Sequence, residues 1–274
     1  MITGLDHIVL ITPDLEAGIA ACRIVLGRDP AWTSRLDGAA TALFTTGNAA
    51  LELRAPSGDG ADGDAVRAAL AAGGEGLASL CFTVDDIAGA HTTLTRRGLN
   101  PGAITDAQSP PGDVVLSWHR FRTDKTLTHG IRHFFIHRDA PLPGTAATAG
   151  GATALDHVVV ATPNPDRAAA LYGARLGLSM ALDRTNPAWG MRLMFFRCGD
   201  LIVEIAHRLD TADASAPDSF YGLTWRTDDL DAAHARLAAA GLNVSPVRPG
   251  RKPGSRVFSL KNGTLNVPTL FIGS

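Results

Sequence analysis

Leu5-Asp6-His7-Ile8-Val9 returns as Leu155-Asp156-His157-Val158-Val159, and each copy runs into a Thr-Pro turn, at Thr12-Pro13 and at Thr162-Pro163. The offset is 150 residues. A second pair, Asp85-Asp86-Ile87-Ala88-Gly89-Ala90-His91 and Asp228-Asp229-Leu230-Asp231-Ala232-Ala233-His234, repeats at an offset of 143, as do Gly98-Leu99-Asn100 and Gly241-Leu242-Asn243. Two separate stretches copied in the same order mark a chain whose halves are duplicates.

Each half divides again into two units that read strand, helix, strands. In the first, an apolar strand over 8–11 leads through Pro13-Asp14 into a helix over 15–26 stopped by Gly27. Strands over 42–46 and 50–54 follow, joined at Gly47-Asn48, a pair that tolerates the positive φ of a tight turn. The second unit reads as a strand over 77–84, a helix over 86–97 ended by Gly98, and strands from Val114 to Phe121 and over 131–137. The third has a strand over 158–161, a helix over 166–176 ended by Gly177, and strands over 193–197 and 201–206. The fourth has a strand over 223–227, a helix over 230–240, and strands over 257–260 and 268–272. The stretch from Pro141 to Ala154, rich in Pro, Gly, Ala and Thr, reads as a linker with too little apolar surface to order itself. Residues 56–76 form a looser join with a short helix over 65–72.

At 274 residues, 45% hydrophobic, with mean hydropathy +0.08, the chain suits two medium cores. Net charge −2 and a pI near 6.5 offer no general field for nucleic acid or an anionic membrane, so neither is an expected partner and any anion must be met locally. No apolar run approaches the roughly 18 residues of a bilayer span. The N-terminal stretch Met1–Leu10 lacks the basic start and cleavage site of a signal peptide, so a cytoplasmic location is expected. Cys22, Cys81 and Cys198 are widely spaced, without a CxxC pair, and read as reduced core thiols.

The repeat also copies two residues that packing does not require. His7 lies on the first strand of unit one and Glu52 on its last; His157 and Glu204 hold the same places in unit three, each Glu five residues beyond a turn glycine, Gly47 or Gly199. A carboxylate among Ala50-Leu51-Glu52-Leu53 or Ile202-Val203-Glu204-Ile205 must be paired or bound to a cation if it faces a core. Imidazole and carboxylate together suit a divalent metal with open positions, or a metal-free acid/base pair. A third reading is a hydrogen-bonded pair left over from an ancestral site.

On these residues the chain resembles the vicinal-oxygen-chelate superfamily of glyoxalases, extradiol dioxygenases and bleomycin-resistance proteins. The resemblance implies an α+β fold: four βαβββ modules in two tandem glyoxalase-like domains, residues 1–140 and 155–274 about a linker at 141–154, each an incomplete barrel or cup. It also implies metal ligands on the first and last strands of each module. His7, Glu52, His157 and Glu204 fit that pattern, whereas the second and fourth modules carry Ser79 and Gly222 where another His is expected and no closing carboxylate. Each cup therefore supplies half a ligand set, to be completed by His133, His119, Tyr221 or water.

The implied activity is a metal-assisted lyase or isomerase acting on a small carbonyl or hydroxyl compound, with Glu204 or Glu52 moving a proton. The ion would be Zn, Fe, Ni or Mn. An extradiol dioxygenase and a metal-free small-molecule binding protein are the alternatives. The third-module pair is preferred because Trp189, Met191, Phe195, Tyr221 and Trp225 offer an apolar and aromatic wall, and Arg251 in the basic run Arg248 to Arg256 could clamp an anionic substrate. His91 and His234 sit on outer helices and read as packing residues; His207, three beyond Glu204, falls on the opposite face. Trp118 and His119 read as a packing ring and a solvent-facing imidazole. Pairing of cups across chains makes a homodimer an expectation.

Overall fold

The computed structural model describes residues 1–110 and 115–274, so the Val114 end of the strand expected there lies outside the described residues. In the first half, β1 (Ile2–Ile11), α1 (Leu15–Leu26), β2 (Trp32–Leu36), β3 (Ala39–Thr45) and β4 (Ala50–Pro56) make one unit. Then α2 (Ala61–Gly73) leads to the next: β5 (Gly76–Val84), α3 (Ile87–Arg96), β6 (Thr105–Gln108), β7 (Ser117–Arg122) and β8 (Arg132–Arg138). The second half repeats the order with β9 (Ala154–Ala161), α4 (Pro165–Ala169), β10 (Ser179–Asn186), β11 (Met191–Cys198) and β12 (Leu201–Arg208). It closes with β13 (Ser219–Arg226), α5 (Leu230–Ala239), β14 (Arg248–Pro249), β15 (Arg256–Leu260) and β16 (Thr269–Gly273). Four βαβββ units are present. Each contains one more strand than the sequence pattern reveals, namely β2, β6, β10 and β14.

Local chemistry sets the helix ends. The Asp14 carboxylate accepts from the backbone N–H of Glu16 and Ala17 and opens α1, and Gly27, at φ 66°, ends it. Asp86, Asn164 and Asp229 open α3, α4 and α5 in the same way. The helix expected over 166–176 is α-helical only through Ala169 and continues as a π-helical turn, Ala170–Arg175.

Each half builds one eight-stranded sheet, with order β2-β3-β4-β1-β5-β8-β7-β6 in the first and β10-β11-β12-β9-β13-β16-β15-β14 in the second. The opening strands of paired units, β1 with β5 and β9 with β13, run antiparallel at each centre. The first sheet is curled into a cup, since Trp32 and Ser34 near one edge line the same cavity as Trp118 and Arg120 near the other. On its outer face, Ile8, Leu10, Phe82 and Phe135 join Val158, Tyr172, Phe196 and Phe258 of the second half in one continuous core.

Two expectations change. The linker is ordered: the N–H groups of Thr148 and Ala152 donate to the carbonyls of Gly27 and Leu26, and Ala152 is fully buried. Backbone hydrogen bonds to α1, rather than apolar area, fix it. At Gly47-Asn48 neither residue adopts positive φ. The Gly47 N–H instead donates to Thr153 O at 2.8 Å, and the Asn48 side-chain amide bonds both backbone groups of Leu155 at 2.8 and 2.9 Å. That turn docks one half on the other.

Candidate functional site

The first cup is organised by a bulge. Leu5 pairs with Phe82 and His7 with Cys81, so Asp6 is an extra residue in β1. Consecutive strand residues ordinarily face opposite sides, and the bulge lets the Asp6 carboxylate reach the neighbouring imidazole. His7 Nδ1–H donates to Asp6 Oδ1 at 2.5 Å, and Arg138 from β8 donates Nε–H and Nη2–H to the two Asp6 oxygens, both at 2.7 Å. The other imidazole nitrogen, Nε2, stands 2.8 Å from Glu52 Oε2. His7 is thus gripped from both ends.

Register places the rest. Glu52, Val9, Ser79 and Arg132 are successive partners across β4, β1, β5 and β8, while His7, Cys81 and Phe134 form the neighbouring row. These residues line a cavity of about 200 Å³. Its roof includes α2, whose Val66 packs with Val9, Ile11 and Ala39. Arg54, two residues beyond Glu52, donates Nη2–H to Asp62 of α2 at 2.8 Å and holds its Nε 3.7 Å from Glu52 Oε1. Burial alone would raise Glu52, but the charge and hydrogen bond of His7, with Arg54 and Arg138 behind, hold its pKa at about 2. Burial opposes a charge on His7, yet the Cys81 sulfur, Glu52 and Asp6 keep its pKa well above the usual value. Burial also raises the Cys81 thiol.

The second cup repeats the device more loosely. Asp156 is again the extra residue of a bulge; it bonds His157 Nδ1 at 2.8 Å and accepts from Arg226 Nε–H at 2.8 Å. His157 Nε2 is 3.6 Å from Glu204 Oε2 and 2.8 Å from the Thr224 hydroxyl, which stands where Cys81 stands in the first cup. With only weak opposition from His157 and Arg251, burial raises the Glu204 pKa.

Both pairs suit a divalent ion. A carboxylate on Nδ1 is the usual outer support of a metal-bound imidazole and leaves Nε2 to the metal. Two donors bound to one ion at about 2.1 Å stand roughly 3 to 3.4 Å apart. The observed 2.8 and 3.6 Å bracket that span. Asp6, His7 and Cys81 also form a cluster of three ligand atoms within 4.8 Å of one another.

Family comparison agrees with the repeat. The model of the glyoxalase-like domain matches residues 5–172, more than half of the chain, and that of the glyoxalase/bleomycin resistance protein/dioxygenase superfamily matches residues 156–258. The chain belongs to the glyoxalase-like family of the vicinal-oxygen-chelate superfamily. No curated protein matches it significantly. Among solved structures, this glyoxalase-like protein is similar to a triple mutant of 4-hydroxymandelate synthase from Streptomyces coelicolor, with TM-score 0.73 and 16% identity over 100% of this chain and 93% of that one. It is also similar to the Mn(II)-bound glyoxalase from Novosphingobium aromaticivorans, with TM-score 0.69 and 13% identity over 99% and 82%. A third is the halotolerant catechol dioxygenase BphC, with TM-score 0.62 and 13% identity over 100% and 87%. At such identities the likeness is one of fold.

The aromatic wall expected around the third-module pair of this glyoxalase-like protein assembles only in part. Trp225 is buried in the shared core, because Thr224 takes the concave face and alternation sends its neighbour outward. Tyr221 is 62% exposed at the start of β13. Phe195, by contrast, is the cross-strand partner of Glu204 and packs with Met191, Leu193 and Val159 beside the pair. Trp189 is 40% exposed, and the Arg251 guanidinium lies 4.1 Å over its ring.

The proposed additional ligands also separate. His133 is fully buried on the outer face, its Nε2 3.4 Å from the Tyr172 hydroxyl of the other half. Alternation gives the cup Arg132 and Phe134 instead. His119 is held between Asp106 and Asp139, and His207 bonds the Thr162 carbonyl. His91 and His234 donate to the carbonyls of Gly102 and Ser245 and pack edgewise on Phe121 and Phe258. Asp6 and Asp156, unassigned by the sequence reading, stand in the repeated Leu-Asp-His signature itself. Arg54 was signalled by its spacing of two from Glu52. Nothing local marks Arg132 and Arg138, which depend on the β5–β8 pairing.

No helix among the described residues is long and apolar enough to cross a membrane.

Proposed function

We propose that the cup formed by residues 1–140 is the working site of a glyoxalase-type enzyme, in which His7 and Glu52 hold a divalent ion and Glu52 exchanges a proton with a small carbonyl or hydroxyl substrate. One observation carries this reading: His7 is fixed by Asp6 on one nitrogen and meets Glu52 with the other, on the floor of a cavity roofed by α2. When bound, the ion would polarise the substrate oxygen. The chain's own residues do the rest. Asp6 and Arg138 hold the imidazole in one orientation, so that Nε2 points at the site. Glu52, ionised at neutral pH, accepts a proton at Oε1, the carboxylate oxygen not turned to His7, from the carbon that bears the substrate oxygen and can return it to the adjacent carbon, the sequence of an isomerase. Val66 and Ala69 of α2 cover the cavity from one side with apolar surface. At about 200 Å³ the cavity is below the roughly 300 Å³ at which sites for drug-sized ligands begin, so the substrate is small.

This assignment moves the preference from the third-module pair to the first. Metal analysis of protein purified without chelator tests it. Near-stoichiometric Zn, Fe, Ni or Mn, lost in His7→Ala and retained in His157→Ala, is the expected result. Metal that follows His157 alone, or none bound after reconstitution with each ion, would sink the assignment.

A further inference from the structure

The charges lining the first cup do not cancel. Arg54, Arg120, Arg132 and Arg138 line the cavity together with Glu52 and Asp62. Glu52 is taken by His7, Asp62 by Arg54, and Arg138 by Asp6 just behind the lining. Among the described residues, Arg120 and Arg132 have no carboxylate partner. Arg120 rests over the Phe134 ring, 5.9 Å from its centroid, and among those residues the Arg132 guanidinium makes no side-chain hydrogen bond or ion pair.

The place of Arg132 is informative. It is the cross-strand neighbour of Ser79, the position where the family pattern leads one to expect a second histidine. Facing the ion-binding couple, then, is a half-buried guanidinium beside a small hydroxyl residue. Burial, reinforced by Arg122 and Arg54, works against its charge. A second observation points the same way. The Nε–H of Arg54 is buried without a hydrogen-bond partner, 3.7 Å from Glu52. A cavity that holds surplus cations and an unused donor, in a chain of net charge −2, is built to be completed by an anion.

We infer that the first cup takes an anionic small molecule, with Arg132 meeting its carboxylate or phosphate and Arg120 and Arg54 in support. The inference rests on the proposed function for the location of the site and adds the substrate's chemical class. Arg132 and Glu52 occupy one cross-strand row with Val9 and Ser79 between them, so an anion on Arg132 directs the remainder of the molecule along the floor towards His7 and Glu52. The substrate is therefore an oxyacid whose reacting carbon is separated from its acid group, not a neutral carbonyl compound.

Calorimetric titration of the full chain, stripped of metal, with benzoate and with its neutral isostere benzamide tests this. Benzoate is expected to bind at least about tenfold more tightly, the scale of one charge-assisted pair. Arg132→Gln should abolish the preference and Arg132→Lys restore part of it, with thermal unfolding checked for both. Phenylphosphate run in parallel separates the two anions: tighter binding than benzoate assigns a phosphate, weaker binding a carboxylate. Equal affinity for benzoate and benzamide in the wild type, or an Arg132→Gln variant that folds and keeps the preference, overturns the inference. Metal analysis of the same proteins keeps the two ideas apart, since Arg132→Gln should retain the ion and lose the anion, and His7→Ala the reverse.

Discussion

Identical residues in the two cups sit at different distances because of one neighbour each. His7 reaches Glu52 at 2.8 Å beside Cys81, whereas His157 stands 3.6 Å from Glu204 with the Thr224 hydroxyl at its Nε2. Removing one partner from a buried ion pair leaves a charge without compensation, at a cost of about 3 kcal/mol or more. His7→Ala should therefore destabilise the protein by about that amount in urea unfolding, Glu52→Gln by less, and the double variant by less than the sum. The same cycle at His157 and Glu204 should show weaker coupling; equal coupling would contradict the geometry. His133 supplies a pH prediction away from both cups. Burial, with His129 nearby, lowers its pKa from 6.5 to about 3, so the native imidazole stays neutral where the unfolded chain takes up a proton. The unfolded state then binds more protons, and stability must fall as pH drops from about 6.5 towards 3. His133→Gln, which keeps an acceptor for Tyr172 but cannot titrate, should flatten that limb in denaturant midpoints measured between pH 7 and pH 4. An unchanged slope would mean that His133 is already charged in the native state.

Elements with paired or capped ends were legible, and those defined only by an edge were not. Asp14 and Gly27 delimit α1 in sequence as they do in space, because a side-chain acceptor and a left-handed glycine are local requirements. In contrast, β10 is exposed along nearly its whole length and β14 has two residues, so neither carries the apolar alternation that marks a strand. The helix expected over 65–72 was too short by four residues at its start, where Asp62 and Gly63 mask the periodicity. That helix makes the first cup different, and its insertion is visible in hindsight. The repeat offset falls from 152 at the two glutamates to 143 at the two aspartate-capped helices, so the first half carries extra chain there. In a free helix Gly→Ala stabilises by about 1 kcal/mol. At Gly63 an added Cβ would lie 2.3 Å from the Gly38 carbonyl oxygen, a backbone atom with nowhere to go. Gly63→Ala should thus lower the denaturant midpoint and weaken benzoate binding by loosening the roof, and a raised midpoint would show that α2 is not clamped on the β2–β3 turn.

At the scale of the whole molecule, the halves that look like beads in sequence share one interior. The sequence shows two copies of a motif joined by a Pro-, Gly- and Ala-rich stretch, which suggests independence; it cannot show that the outer faces of both sheets are apolar towards each other. In space, Phe82 and Phe135 of the first half continue into Tyr172 and Phe196 of the second through the buried His133. Polar clamps surround that seam. Arg97 and Arg175 each donate to the other's carbonyl, Arg236 donates to the carbonyls of Ile24 and Val25, and Asn48 holds the backbone of Leu155. Separating the halves would bare aromatic rings that are now fully buried, each contributing about 1.5 to 3 kcal/mol by its burial. Neither half should therefore be a stable unit alone. The intact chain should unfold in one calorimetric transition with matching calorimetric and van't Hoff enthalpies, and residues 1–140 expressed alone should lack a cooperative melt. Tyr172→Ala, placed in the second half, should lower the stability of the first cup as well, read as a weaker hold on benzoate at temperatures just below the transition. Two resolved transitions, or a folded isolated half, would show that the seam is a contact between independent domains and that the cups can be studied one at a time.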